Sequence, residues 1–134
     1  MNTDEARGYL ATHHRAVMAT FRRDGRPQLS PVVAVVDAQG LVVVSTSATS
    51  AKAKNLARDP RVSLCVFPDT FFGEWVQVEG AAEVVPLPEA MEPLVDYYRR
   101  ISGEHPDWAQ YREAMQAEQR VLVRFPIDRA GPGR

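Results

Sequence analysis

The sequence predicts a small, mainly β protein: one six-stranded antiparallel barrel with short flanking helices. Three observations predict it. Apolar, β-branched runs recur along the chain, and compact turn signals such as Asp24-Gly25 and Asp37 to Gly40 separate them. Helical periodicity is confined to short stretches. No internal repeat and no long linker divides the 134 residues, so residues 1–134 read as a single domain with one core.

The elements follow in order. Thr3 or Asp4 is placed to cap a first helix carrying Tyr9 and Leu10. Ala16 to Arg22 reads as a strand, and Gln28 to Val36 as its hairpin return. Pro31 has no N–H for a ladder, so this second strand is expected to be an edge or to bulge there. Leu41 to Thr46 is a third strand and Arg61 to Phe67 a fourth. Pro68 to Gly73 is a loop carrying Phe71 and Phe72. Glu74 to Val85 reads as one long strand, with a bend or bulge at Gly80. Leu87 to Ile101 reads as a helix whose apolar stripe is Leu94, Tyr97, Tyr98 and Ile101. Asp107 is placed to cap a further helix with Trp108, Tyr111 and Met115. Gln119 to Ile127 is the last strand, with Val121, Val123 and Phe125 on one face and Arg120 and Arg124 on the other. The final AGPGR is expected to be mobile.

The chemically suggestive stretch is Leu41 to Pro60. A β-branched run breaks into the hydroxyl cluster Ser45, Thr46, Ser47, Thr49 and Ser50, and a short helical pattern follows. Ala53, Leu56 and Ala57 fall at helical spacing and are expected to face a core, with Lys52 and Asn55 expected side by side on the flank. A helix N-terminus offers unpaired N–H groups and a positive dipole end, which suits a phosphate. Lys52 and Lys54 are the only lysines; every other cation is arginine. The competing reading is a solvated amphipathic helix whose hydroxyls only cap it. No glycine-rich loop decides between the two.

Composition narrows the function classes. Net charge is −1 and the pI about 6.3, which argues against a nucleic-acid or anionic-membrane surface. No run approaches a bilayer span, and the N-terminus lacks an apolar signal core, so a cytoplasmic protein is expected. The single Cys65 lies in an apolar run and reads as a structural thiol. His13, His14 and His105 have no partners at ligand spacing, so no metal site is expected. No nucleophile elbow or Cys–His–acid set is present, and Asp69, Glu74 and Glu79 read as turn or surface groups. An enzyme without its own acid–base residues needs a bound cofactor to supply the chemistry.

STSATSAKAKNLARDPRVSLCVF followed by EWVQVEGAAEVVP resembles the split β-barrel flavoproteins of the pyridoxamine 5′-phosphate oxidase class. DGRPQLS and YRRISGEHPDWAQYREAM resemble the actinobacterial branch that uses the deazaflavin coenzyme F-420. The resemblance runs from about Ala16 to Ile127. It implies a homodimer of six-stranded split barrels with cofactor clefts at the seam. Carried over by position, it places Ser45, Thr46, Ser50, Lys52 and Asn55 around the cofactor phosphate and tail. It also places Gln28 and Ser30 near the ring and Trp75 at a contact that reaches the partner's site. Lys54 and Arg58, four apart on the outer helix face, would line the exit of the anionic F-420 tail.

Two positions depart from that pattern. Ser50 and Ala51 stand where relatives often carry Arg, and Pro31 where they commonly carry Asn. The expected activity is hydride transfer between F-420 and a small conjugated organic acceptor. The alternatives are an FMN oxidase or reductase and a non-enzymatic carrier of a flavin or deazaflavin.

Overall fold

The structure, a computed structural model, describes residues 1–132. Helix α1 (Thr3–Leu10) is capped by Asn2 rather than by Thr3 or Asp4. The Asn2 Oδ1 accepts from the Glu5 N–H, and the Glu5 carboxylate accepts from the Asn2 N–H, which satisfies two first-turn donors reciprocally. Strands β1 (Arg15–Phe21) and β2 (Pro27–Val36) form the expected hairpin, with Gly25 at φ 85°. Strand β3 (Val42–Ser47) leads into α2 (Ala51–Arg58), and β4 (Arg61–Val66) follows.

The described residues form eight strands rather than six, because two expectations fail. The single strand expected over Glu74 to Val85 is two, β5 (Val76–Ala81) and β6 (Glu83–Val85). The break falls at Ala82, whose N–H donates to the Pro60 carbonyl. Gly80 is a close approach instead of the bend: a Cβ there would lie 2.4 Å from the Pro126 carbonyl oxygen. The tail expected to be mobile forms β8 (Arg129–Gly131), paired with β5. Gly133 and Arg134 of that stretch lie outside the described residues. Between them, α3 (Met91–Ser102) begins later than Leu87, after a turn over residues 87–90. Its Pro93 sits in the first turn, where no intrahelical N–H bond is lost. Asp107 caps α4 (Trp108–Ala117) as expected, and β7 (Arg120–Phe125) follows.

All strands belong to one antiparallel sheet in the order β6-β7-β3-β2-β1-β4-β5-β8. Consecutive β5 and β6 stand near its opposite ends, so the sheet is curled and the chain closes it at Ala82. Inside the curl, Met18, Val42, Val44, Leu64, Val78 and Phe125 pack with Ala6 and Leu10 of α1 and Leu56 of α2. Outside it, Val35, Val43 and Leu122 pack against Leu94, Val95, Tyr111 and Met115 of α3 and α4. Strands β3 and β7 are therefore apolar on both faces.

The other half of the outer face, on β1, β2 and β4, has no helix over it. Leu29 is 62% exposed and Val33 39%. Strand β2 pairs with β3 only through Ala34, Val35 and Val36, while its earlier residues pair with β1 alone. Pro31 lies on that unpaired edge, opposite Val17, where a missing N–H breaks no ladder. The sheet parts between β2 and the end of β3, and α2 begins beside that opening.

Candidate functional site

The opening holds a cavity of about 590 Å³. Val17, Pro31, Val33 and Phe67 make its apolar wall. Ser45, Thr46, Lys52, Tyr97 and Arg120 make its polar end, and Arg15 stands at the rim. Among the described residues, no carboxylate lines it.

The local sequence explains the polar end. Ser50 is the N-cap of α2: its Oγ accepts from the Ala53 N–H at 3.2 Å, and the Thr46 hydroxyl donates to the same oxygen at 3.0 Å. The β3 end and the helix start are thereby locked together, and Lys52, at the second helical position, turns into the cavity. Burial first, and then the nearby Arg120, hold the Lys52 ammonium below the ordinary 10.5. The Arg120 Nε is buried without a hydrogen-bond partner. Tyr97 reaches in from α3, and its hydroxyl donates to the Val33 carbonyl at 2.7 Å. Burial raises its pKa, opposed by the Ser45 N–H that faces its oxygen and by Arg120. The cavity thus has a cationic, hydroxyl-lined end and an apolar flank. An anionic group joined to a flat apolar body fits that division.

The structure brings Ser45, Thr46 and Lys52 together, with Ser50 behind them as their anchor. It does not bring every predicted residue to the same place. Asn55 is buried under α2, where its Nδ2 donates to the Thr20 Oγ1 at 3.1 Å and its Oδ1 accepts from Arg58 at 3.2 Å. Arg58 also donates to the Phe21 carbonyl. Lys54 and Arg58 line a separate groove of about 750 Å³ on the other flank of α2, together with Arg22, Arg23 and Asp24. Gln28 and Ser30 lie on β2 opposite Thr20 and Met18, outside both cavities, and each has a buried oxygen without a partner. Trp75, just before β5, is 42% exposed and does not line the cavity of its own chain.

Sequence reading missed Arg120 and Tyr97. Arg120 looked like the solvent face of the last strand, but β7 pairs with β3 and places Arg120 opposite Ser47. Tyr97 looked like one more member of an apolar stripe. The only available signal for it was the phenol, which needs a partner when buried. Among the described residues, no group of three or more His, Cys, Asp or Glu side chains is placed to hold a metal ion. Nor, among the described residues, is any helix long and apolar enough to cross a membrane.

The fold recurs in known proteins. A conserved hypothetical protein from Mycobacterium tuberculosis, Rv2991, superposes with a TM-score of 0.78 at 31% identity, over 97% of this chain and 82% of that one. An F-420 reductase shares the fold with a TM-score of 0.71 at 21% identity, over 92% and 94% of the two chains. A haem-binding protein from Mycobacterium smegmatis shares it with a TM-score of 0.69 at 23% identity, over 98% of this chain and 55% of that one. The fold therefore occurs in proteins described with different cofactors, and the residues of the cavity must identify the ligand. The model of the pyridoxamine 5′-phosphate oxidase family matches residues 2–131, nearly all that the structure describes, and the chain belongs to that family.

Proposed function

We propose that the chain is an oxidoreductase that binds a ribityl-phosphate coenzyme in the cavity between β2 and β3, with coenzyme F-420 preferred over FMN. The observation that carries the reading is a half-buried Lys52 facing hydroxyls and a second cation, with no carboxylate among the lining residues. Lys52, Ser45 and Thr46 would hold the phosphate. Val17, Pro31, Val33 and Phe67 would lie along the flat ring and exclude water from it. When bound, the coenzyme supplies hydride chemistry, so the side chains need only bind and orient.

The preference for F-420 rests on the second groove. An FMN phosphate held by Lys52 would need no cation beyond it, whereas the anionic tail of F-420 would continue past it. Lys54, Arg22 and Arg23 line a cationic path on the far side of the helix start. Arg58, held by Phe21 and Asn55, shapes that path.

The apolar wall runs on into the uncovered sheet face. Leu29, Val33 and Trp75, with Phe71 and Phe72 at 72% and 94% exposure, form more apolar surface than an isolated small domain usually presents. We infer a two-fold dimer that acts in the cytosol and closes the ring end of each cavity with the partner's surface. Light scattering should give twice the 14.9 kDa chain mass, and the chain mass alone at micromolar concentration would contradict the dimer.

Side-by-side titration of the apo protein with F-420 and FMN, followed by absorbance, tests the coenzyme. Tighter binding of F-420, weakened by salt, is expected. FMN that co-purifies stoichiometrically and resists displacement by F-420 would make the chain an FMN protein. Binding without turnover of any conjugated acceptor would make it a carrier.

A further inference from the structure

We propose that Arg120 is the second anion-binding residue of the cavity, so that a phosphate is held between the Arg120 guanidinium on β7 and the Lys52 ammonium on α2. This deepens the reading above and rests on it for the identity of the molecule that carries the phosphate.

Three observations converge on Arg120. The first is that its buried Nε has no hydrogen-bond partner. Arg124, four residues on along the same face of β7, is paired through its Nε with Glu83. Arg99, Arg100 and Arg112 on the neighbouring helices also have carboxylate partners, at 2.9, 2.7 and 2.8 Å. Arg120 approaches only Glu118, at 3.8 Å, and its buried Nε makes no hydrogen bond. A buried, unused donor on a charged group is unfavourable and needs an explanation.

The second observation is the backbone that aims it. Gln119 has φ 51°, the only positive value at a non-glycine residue among those described. Its carbonyl accepts from the Ala48 N–H at 2.8 Å, and its N–H donates to the Gln116 carbonyl at 3.1 Å. A left-handed residue pinned on both sides fixes the direction in which the chain leaves α4 and enters β7. Such strain persists where the surrounding structure enforces it, and it often accompanies function.

The third is company. Arg120 and Lys52 line one cavity and repel each other there, with no carboxylate in the lining to offset them. An anion would relieve that repulsion and use the idle Nε. The planar guanidinium supplies a two-donor fork for phosphate oxygens, and the lysine a mobile point charge beside it.

The test exploits the fact that Lys52 and Lys54 are the only lysines. Their side-chain NMR titrations are followed in wild type and in Arg120→Gln, first with inorganic phosphate as the probe and then with FMN and F-420. In wild type, phosphate should raise the Lys52 midpoint, leave Lys54 unmoved and shift the Arg120 Nε–H resonance. In Arg120→Gln, the Lys52 midpoint of the free protein should rise toward its ordinary value, and phosphate and coenzyme affinity should fall at least tenfold. An unmoved Arg120 Nε–H resonance in the wild type would overturn the proposal, and that readout needs no variant to fold. Equal coenzyme affinity in the two proteins would also overturn it while leaving the coenzyme reading intact. Arg120-dependent phosphate binding, with neither coenzyme bound more tightly than phosphate, would sink the coenzyme reading and leave the anion site standing.

Discussion

Lys52 and Lys54 are two positions apart on one helix and have opposite surroundings. Successive even positions lie about 200° apart around an α-helix, so the two ammonium groups leave on different flanks. Lys52 is half-buried and shares its cavity with hydroxyls and a guanidinium whose buried Nε makes no hydrogen bond. Lys54 is exposed in a groove where Asp24 offsets some of the arginine charge and Arg58 is already hydrogen-bonded. Counting cations would make the Lys54 groove the better anion site. Burial points instead to the Lys52 cavity, where the ammonium is desolvated beside Arg120 and no carboxylate of the described residues lines the wall.

The largest effect should come from the residue that holds both flanks in place. Asn55 ties α2 to Thr20 on β1 and to Arg58, so Asn55→Ala leaves buried polar groups without partners. Urea unfolding should report a loss of about 1–3 kcal/mol. Retained stability would mean that α2 is held by Leu56 and Ala53 alone.

Lys52→Met should behave in the opposite way. Removing a desolvated ammonium that Arg120 repels should leave the stability of the free protein unchanged or raised, by the same unfolding assay. A marked loss would mean that Lys52 has a structural partner.

The pH dependence follows from the same group. The folded protein gives up the Lys52 proton more readily than the unfolded chain does, because burial and Arg120 lower its pKa. The destabilisation from Lys52 is therefore fully present below that lowered value and fades as pH rises toward 10.5. Anion affinity should run the other way. It should hold steady at neutral pH and fall as pH climbs through the lowered Lys52 value, with proton uptake on binding in that window. Calorimetry in buffers of different ionisation enthalpy reads this uptake, and its absence would detach Lys52 from the anion.

Lys54→Ala should have the smallest effect, about 0.2–1 kcal/mol on F-420 binding, erased by salt, with FMN binding unmoved. An equal loss for both coenzymes would place Lys54 at the phosphate instead of the tail.

The contrast also explains what the sequence could reveal. Ser45, Thr46, Ser50 and Lys52 are legible because a strand end, a cap and a first helical turn are contiguous in sequence. Their geometry is set by local rules of capping and helical phase. Arg120 is not legible in that way. It reaches the cavity only because β7 lies beside β3, a pairing between segments more than seventy residues apart. Asn55 shows the converse limit. Helical spacing put it on the flank beside Lys52, but it could not say that Thr20 and Arg58 would claim its amide, away from the Lys52 cavity. The strands themselves announced their alternation. The break at Ala82 and the pairing of β8 did not, since both depend on the curl that brings the two ends of the sheet together.

The central claim is that Lys52 binds an anion carried by the coenzyme. A titration of wild type and Lys52→Ala with F-420 at low salt tests it most directly, with melting curves recorded on the same samples. The account predicts affinity weakened by about 1.5–3 kcal/mol, roughly ten- to 150-fold, with melting of the free protein unchanged or raised. Equal affinity in the two proteins would contradict it.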